Sequence, residues 1–581
     1  MFLWIKIQCA VTALAFAFAS VCASRRLMHY FQLESYQFRG YFQTIRRQWK
    51  KAILPYVLQF LALFALIVVI VAVNHAMDMN GFAPYVSAYL DNYEKNPSFW
   101  GWLYIILTSA LIPCVFAVLG GFRLRVKAVR EKEKKKFALT ARMKRLYAVH
   151  AVLLIALLGS VYGRVYWIFE NSNAKTWFAT SMQPFAELTV FGAPVILLLP
   201  LLLPLSALLA LPIERLIFHL YFRDAEKKLL ENPRLIRIGI TGSYGKTSTK
   251  FILAEILGQK YNVLATPASF NTPMGVTRII RERLTPSHQV FIGEMGARHV
   301  GEIKELSRLV HPTIGLLTAV GPQHLDTFKT LERIEKTKYE LIDALPNDGL
   351  GVFLHDGAIV TKLYDKTQKP KLLAGKEGAD AWAADVSVSP QGSHFTLHLK
   401  GWEPFEVTTS LLGEHNIRNI LMASAVAKHL GLNQEQIRRG ILQCRPVEHR
   451  LQLLKTPGGV TVIDDAFNTN PRSSKEALKV LASFPGRRVI VTPGMVELGA
   501  EEAKYNEEFG QAMAGAVDVA VLVGKRHTEP IRKGLQEQGF PAENIHVVSN
   551  LDEAIQTVNG ILKPGDVVMY ENDLPDHYSE S

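Results

Sequence analysis

The sequence has 581 residues, of which 49% are hydrophobic, and a net charge of +13. Its mean hydropathy of +0.12 is high for a wholly soluble protein, and its length indicates about three or four domains. No two of the four cysteines form a C-x-x-C pair, so neither a disulfide framework nor a zinc site is expected.

The positive charge lies mainly in two segments of the first half of the chain. Residues 24–51 carry seven Lys and Arg against one Glu, and residues 121–146 carry eleven against two. Both segments border apolar runs, so they are interpreted as loops that flank a membrane. We therefore expect a membrane partner and no nucleic-acid partner.

Five apolar stretches are long enough to cross a bilayer, which takes about 20 residues. They cover residues 1–23, 52–73, 100–120, 147–169 and 188–212. The loops between them alternate between basic and slightly acidic, so the positive-inside rule predicts an N-terminus outside and everything after residue 212 in the cytoplasm. The spans lack the several buried charges of a pump, which favours an anchor or a platform for substrate docking.

Two parts of this region have alternative interpretations. The first stretch could be a signal peptide, but only Lys6 supplies a positive start, which favours an uncleaved anchor. Residues 213–233 have one apolar and one charged face. They predict either a linker helix along the membrane surface or a helix that packs on the core.

The stretch IRIGITGSYGKTSTKFILAEIL, residues 236–257, predicts a strand, a glycine turn and a helix. This arrangement points backbone N–H groups and the positive end of the helix dipole at one place, which favours an anion. Lys246 is placed to reach terminal phosphates, and the Thr247 hydroxyl to hold magnesium. Gly242 and Gly245 give the short form G-x-x-G-K-T, for which a purely structural turn is the alternative.

From residue 234 onward, strands alternate with helices, which predicts a mostly parallel sheet. The strand HQVFIGEMG ends on Glu294, at the sheet edge where the phosphate loop also lies, so Glu294 is expected to hold magnesium. His324 follows the next strand, residues 314–319, and Lys338 lies on the helix beyond. A protonated lysine cannot ligate a metal, so the residues alone indicate a surface lysine at position 338.

Several motifs then follow one another in an order that resembles the Mur ligase family. They are TGSYGKTSTK, NTPMGV, GEMGARHVGEI, GPQHLDTF with KTKYEL, GEHNIRNILMASAVA, EHR, and VIDDAFNTNP with MVELG. The chain is most similar to the MurF type, which joins D-alanyl-D-alanine to a UDP-muramoyl tripeptide. The resemblance covers about residues 234–515 and leaves out the first 212 residues, where this type has a domain that binds the UDP group.

The resemblance implies a binding site for ATP and two magnesium ions. The residues that would hold the phosphates and the first ion are Gly242, Ser243, Gly245, Lys246, Thr247 and Glu294. His324 would lie at the second ion, together with Lys338, which this family carbamylates with carbon dioxide to give a metal-bridging carboxylate. Arg450 would approach the γ-phosphate and Asp465 the ribose.

The resemblance also implies contacts with the adenine and the substrates. Asn416 and Asn419 would face adenine, although Asn at a helix start also caps the helix without a ligand. The substrate residues would be Asn271, Asn468 and Asn470, of which Asn271 also fits an ordinary Asn-Thr-Pro turn. The tyrosine of the family is Phe467 here, so one hydroxyl near the nucleotide or the amine is missing.

We therefore expect a helical membrane domain followed by two α/β domains. The predicted divisions are 1–212 for the membrane domain, 213–233 for the linker helix, 234–445 for a central ATP-binding domain with the phosphate loop, and 446–581 for a Rossmann-like C-terminal domain. The last two domains would close over ATP.

The function predicted from the resemblance is ATP-dependent amide formation through an acyl phosphate, in peptidoglycan precursor synthesis at a bacterial cytoplasmic membrane. The acceptor would be a muramoyl-peptide-like carboxylate, and the donor D-alanyl-D-alanine or another amino acid. One alternative is a membrane-linked glutamate or poly-glutamate ligase of the same superfamily. The other is a membrane scaffold that binds ATP without turnover, which the presence of Lys246, Glu294, His324 and Lys338 disfavours.

Overall fold

The structure is a computed structural model, and it describes residues 2–34, 36–77, 112–130, 136–170, 194–456, 458–467 and 469–574. It divides into two compact units, Met1–Ile217 and Phe218–Ser581.

The described part of the first unit is helical. Its helices are α1 Phe2–Ala23, α2 Arg25–Leu33, α3 Phe38–Arg47, α4 Trp49–Ala52, α5 Leu54–Met77, α6 Ile112–Arg130, α7 Ala141–Glu170 and α8 Pro194–Leu230, which continues into the second unit. Four stretches within the described residues are long and apolar enough to cross a membrane: Ala10–Leu33, Trp49–Leu66, Ala141–Arg164 and Pro194–Leu230.

These four stretches overlap four of the five predicted spans. Much of the predicted span 100–120 lies outside the described residues, and α6 contains only its last part. Residues 213–230, which belong to the predicted linker helix, form the last part of α8, which runs from Pro194 to Leu230 without a break. Pro212 lies inside this helix, where a missing N–H removes one backbone hydrogen bond without ending the helix.

The second unit contains a nine-stranded and a six-stranded sheet. The nine-stranded sheet has the order β2-β3-β1-β4-β5-β6-β7-β8-β9, and the pairs from β2 to β7 are parallel while β7, β8 and β9 are antiparallel. Its strands are β1 Ile236–Thr241, β2 Val263–Ala265, β3 Val290–Glu294, β4 Ile314–Leu317, β5 Leu350–Leu354, β6 Lys371–Ala374, β7 Ala381–Ser389, β8 Gly392–Leu399 and β9 Phe405–Thr409.

The six-stranded sheet has the order β10-β11-β15-β12-β13-β14, and only its first pair is antiparallel. Its strands are β10 Gln452–Lys455, β11 Thr461–Asp465, β12 Arg488–Thr492, β13 Val519–Val523, β14 Ile545–Val548 and β15 Val567–Glu571.

Helices cover both sheets of the second unit. They are α9 Lys246–Leu257, α10 Pro273–Arg283, α11 Glu302–Val310, α12 Leu325–Phe328, α13 Leu331–Asp343, α14 Ala358–Lys366, α15 Glu414–His429, α16 Gln434–Gln443, α17 Pro471–Ala482, α18 Glu502–Met513, α19 Glu529–Glu537 and α20 Leu551–Ile561. The expectation of α/β folding with mostly parallel sheets is confirmed for this part of the chain.

The apolar pattern of β1 explains its central position. Ile238 and Ile240 are fully buried, and β1 pairs in parallel with both β3 and β4. Helices α9, α15 and α16 pack on one face of the sheet, and α10, α11 and α13 pack on the other. Because parallel strands end at the same edge, the residues that follow β1, β3 and β4 are brought together there.

Candidate active site

The loop after β1 has a backbone that glycine alone adopts without strain. Gly242 and Gly245 have φ values of 150° and 80°, in the left-handed region. A Cβ atom at Gly245 would lie 2.9 Å from Asn419 Oδ1, and one at Gly242 would collide with the Thr318 hydroxyl. A side chain at either glycine would thus disturb the loop. The loop is followed directly by α9, whose first residue is Lys246.

Ser243 fixes this loop to the segment after β4. Its hydroxyl donates to Gly321 O at 2.9 Å, and its N–H donates to Ala319 O at 2.7 Å. The Ser243 side chain is therefore used inside the protein, which leaves backbone N–H groups and the helix start for an anion.

The Lys246 side chain folds back onto the backbone of the loop. Its Nζ donates to Gly242 O at 2.7 Å and to Ser243 O at 3.1 Å. Burial lowers the pKa of Lys246 to about 8, with Glu294 opposing this shift and Arg450 adding to it. An incoming phosphate would favour the charged form of the amine.

Glu294 ends β3 and is 1% exposed. Its Oε1 accepts from Thr247 Oγ1 at 3.2 Å and from Asn271 Nδ2 at 3.0 Å, while Oε2 accepts from Lys250 Nζ at 3.0 Å. Burial favours the neutral acid, but Lys250 and Lys246 outweigh it and hold the pKa of Glu294 below its ordinary value. A carboxylate beside a hydroxyl is the oxygen-ligand chemistry that magnesium prefers.

Lys338 on α13 is 1% exposed, so the interpretation as a surface lysine is wrong. Its helix has an apolar face that includes Ile334, Leu341 and Ile342, and position 338 lies among these buried residues. Burial, followed by the charge of Lys246, lowers the pKa of Lys338 well below its ordinary value.

His324 precedes α12 and has a φ of 52°, in the left-handed region. Its Nδ1 lies 2.5 Å from Glu497 Oε2, a residue in the loop after β12 of the other sheet. Burial lowers the pKa of His324 even though Glu497 opposes the shift, and the charge of Lys338 also acts on it. Nδ1 is therefore hydrogen-bonded to Glu497, and Nε2 is the ring nitrogen that could bind a metal.

Arg450 interacts electrostatically with a carboxylate at a strand end of each sheet. The charges of Asp465 and Glu294 both act on it, and its guanidinium carbon lies 4.2 Å from the centre of the Phe467 ring. Asp465 Oδ1 accepts from Leu451 N at 3.1 Å. Burial, followed by the neighbouring Glu571, raises the pKa of Asp465 to about 8.

The two asparagines expected at adenine lie on α15, and both are buried. Asn419 packs against the phosphate loop at Gly245. Asn416 Nδ2 donates to Leu412 O at 2.9 Å, but the N-cap of this helix is Gly413, so neither asparagine is its N-cap.

The three asparagines expected at the substrate have different positions. Asn271 donates to Glu294, so it lies among the side chains that surround this buried carboxylate. Asn470 is the N-cap of α17, and its Oδ1 accepts from Arg472 N and Ser473 N, both at 3.1 Å. Asn468 lies outside the described residues.

Sequence reasoning missed Lys250, Arg298 and Glu497. Lys250 is one helical turn beyond Lys246, so its spacing could have placed it on the same face of α9. Arg298 and Glu497 lie inside the motifs GEMGARHVGEI and MVELG, which could have drawn attention to them. Arg298 Nη2 donates to Glu497 Oε1 at 3.2 Å, and no local pattern predicts this contact between segments 199 residues apart.

Comparison with protein families gives two successive matches. The Mur ligase middle domain matches residues 240–427, and the domain described as Mur ligase, glutamate ligase domain matches residues 449–570. These two parts of the chain are its middle and C-terminal domains.

Relatives and solved structures of the same type are similar to the chain. The UDP-N-acetylmuramoyl-tripeptide--D-alanyl-D-alanine ligase of Mycobacterium tuberculosis strain H37Rv is 34% identical over 355 residues, which cover 57% of this chain and 69% of that protein. The Bacillus subtilis ligase of the same name is 29% identical, over 58% of this chain and 72% of that protein.

Among solved structures, MurF from Acinetobacter baumannii has a TM-score of 0.56 and 26% identity, covering 62% of this chain and 78% of that one. MurF from Thermotoga maritima in complex with ADP has the same TM-score and identity, covering 62% of this chain and 82% of that one. The two family matches contain the clustered site residues from Lys246 to Asp465. The chain therefore belongs to the Mur ligase family, and it is an ATP-dependent ligase of the MurF type.

Proposed function

We propose that the protein joins D-alanyl-D-alanine, or a similar amine, to the carboxylate of a muramoyl peptide during peptidoglycan precursor synthesis. The relatives named above are ligases of this type, and one solved neighbour contains ADP. The observation that carries the proposal is the cluster of Lys246, Glu294, His324, Lys338 and Arg450 at the sheet edges.

The first magnesium ion would be held by Thr247 and Glu294. Their oxygens lie 3.2 Å apart, close to the roughly 3 Å between neighbouring ligands of an octahedral ion with bonds of about 2.1 Å. No group of three or more His, Cys, Asp or Glu that could hold a metal occurs among the described residues. The remaining ligands would therefore come from phosphate oxygens and water, as is usual for magnesium.

The second ion would be held by His324 Nε2 and a carbamate on Lys338. A neutral amine is the form that attacks carbon dioxide, and burial lowers the pKa of Lys338 well below its ordinary value. In this step the Nζ–C bond forms, one C=O bond of carbon dioxide becomes a C–O⁻ group, and one proton leaves to solvent. Bound magnesium would neutralise charge on the phosphates during transfer.

The residues of the chain would bind and orient the reactants. The backbone at Gly242, Ser243 and Gly245 would hold the phosphates of ATP, and Lys246 and Arg450 would bind the terminal phosphate from two sides. The remaining contacts would come from Asn416 and Asn419 to adenine, from Asp465 to ribose, and from Asn271, Asn468 and Asn470 to the substrates.

The reaction would then consist of two displacements. An oxygen of the acceptor carboxylate attacks the γ-phosphorus, the bond to the β-phosphate oxygen breaks, and ADP leaves. The amine attacks the resulting acyl phosphate, the C–N bond forms, phosphate leaves with the electrons of the C–O bond, and the amine proton passes to solvent. Most of the catalysis comes from positioning and from charges preorganised around the phosphates.

We also place the protein in the bacterial cytoplasmic membrane, with the N-terminus outside and both α/β domains in the cytoplasm. Large apolar side chains remain exposed on the span helices, including Leu58, Leu61, Val152, Leu201 and Leu208. Such surfaces favour contact with lipid. A single span is enough for stable anchoring, so several spans favour a substrate at the membrane, such as a lipid-linked muramoyl peptide.

Two measurements on the full chain in detergent or nanodiscs test these proposals. ADP release should require both an acceptor carboxylate and an amine, and Lys246→Ala should abolish it because the phosphates lose a charge partner. Equal hydrolysis of ATP without either substrate would contradict a ligase. Efficient use of the soluble UDP-linked peptide, without use of the lipid-linked peptide, would contradict the membrane substrate.

A further inference from the structure

Glu497 belongs to the C-terminal domain, and its side chain contacts the proposed second metal site in the middle domain. Its side chain is 9% exposed, and its two carboxylate oxygens have different partners. Oε2 lies 2.5 Å from His324 Nδ1, and Oε1 accepts from Arg298 Nη2 at 3.2 Å. Both partners belong to the middle domain, so this carboxylate connects the two domains.

The backbone around Glu497 contributes to the same contact. Its carbonyl oxygen accepts from Asp326 N at 3.4 Å, and a Cβ atom at Gly499 would lie 3.5 Å from that nitrogen. Glu497 has a φ of 66°, an unfavourable conformation for a residue other than glycine. Such a conformation persists where surrounding contacts hold it, and it is often associated with function.

The pairing fixes the chemical form of His324. A neutral imidazole donates from one nitrogen and accepts on the other. With Nδ1–H donating to the Glu497 carboxylate, the lone pair of Nε2 is directed away from that carboxylate and remains for a metal. Carboxylates in this position hold the ring of a metal-binding histidine in one orientation and increase its basicity as a ligand.

We infer that Glu497 is a positioning residue that completes the second metal site only when the C-terminal domain is docked on the middle domain. The inference rests on the proposed role of His324 and extends it: domain closure and metal binding become one coupled event. Arg298 holds the other oxygen of the carboxylate and thereby restricts its rotation.

The chain offers a matched control in a second contact between the same domains. Arg472 at the start of α17 donates from Nη1 to Asp356 Oδ2 at 2.6 Å, and Asp356 follows β5. This ion pair crosses the domain boundary as Glu497 does, but neither residue contacts His324. Asp356→Asn therefore weakens docking without changing the partner of the imidazole.

The experiment counts metal ions with Mn²⁺ as the probe. The full chain in detergent is saturated with a non-hydrolysable ATP analogue, and bound Mn²⁺ is titrated by electron paramagnetic resonance in wild type, Glu497→Ala, Glu497→Gln and Asp356→Asn. We expect two Mn²⁺ ions in wild type. In Glu497→Ala the second ion should bind about 10- to 100-fold more weakly while the first is unchanged.

The unchanged first ion shows that the variant is folded and still binds the nucleotide. Glu497→Gln, which keeps an oxygen acceptor of the same reach, should lose less affinity than Glu497→Ala. An unchanged second ion in Glu497→Ala would overturn the assignment, and so would an equal loss in Asp356→Asn, because the effect would then come from docking alone. Binding of a single ion to wild type would overturn both this inference and the proposed second metal site.

Discussion

Lys250 Nζ lies 3.0 Å from Glu294 Oε2, and the two side chains are 0% and 1% exposed. Lys250 also donates to Ala268 O at 2.5 Å, in the loop that leads to Asn271. One buried lysine thus connects helix α9, the end of β3 and the loop that carries a proposed substrate residue. Its charge also allows Glu294 to remain ionised in the interior.

Replacing this lysine should destabilise the protein strongly. In Lys250→Met, Glu294 loses its nearest positive charge while staying buried, which typically lowers the free energy of unfolding by about 3–5 kcal/mol. Thermal and denaturant unfolding of the full chain without nucleotide would measure the change. The matched control is Arg278→Met, because Arg278 forms an exposed pair with Glu282 that contributes less than about 1 kcal/mol. Equal losses in the two variants would contradict the role of the buried pair.

ATP binding should take up a proton at alkaline pH. Burial lowers the pKa of Lys246 to about 8, so the amine of the free protein is increasingly neutral as the pH rises above that value. Bound phosphates favour the charged amine and raise its pKa, so binding draws a proton from the buffer and ATP affinity falls as the pH rises.

Isothermal titration calorimetry in buffers of different ionisation enthalpy measures this uptake. The control is Lys246→Arg, because a guanidinium stays charged throughout this range and should bind ATP without proton uptake. Proton uptake of the same size in the arginine variant would assign the effect to another group.

The sequence predicted the parts of the site that are encoded locally. The loop before Lys246 and the strand end at Glu294 depend on short patterns, so their meeting at one sheet edge follows from parallel pairing alone. The burial of Lys338 and the contact of Glu497 with His324 depend on packing between distant segments, which no local pattern encodes. Helix α8 continues past Pro212 because the end of an apolar run marks the end of the membrane segment and not the end of the helix.

Lys338→Ala should lose turnover and keep ATP binding. The proposed carbamate would supply metal ligands for the second ion, whereas the phosphate loop and Thr247 remain intact. Small carboxylic acids should restore part of kcat by replacing the carbamate oxygens, and removing carbon dioxide should slow wild type but not the rescued variant. ADP release with the full chain, together with nucleotide binding by calorimetry, measures both effects. A fully active Lys338→Ala variant would rule out the carbamate.

The two ends of the Asn470 side chain allow its structural and substrate roles to be separated. Oδ1 caps α17 by accepting from Arg472 N and Ser473 N, whereas Nδ2 is not part of the cap. Asn470→Ala removes both groups, so it should lower the free energy of unfolding by about 1 kcal/mol and also raise the KM for the amine.

Asn470→Asp keeps the capping oxygen but lacks the N–H donor. Its stability should match wild type, while the KM for D-alanyl-D-alanine should rise about fivefold, the equivalent of one hydrogen bond of about 1 kcal/mol. An unchanged KM in Asn470→Asp would show that Asn470 only caps the helix.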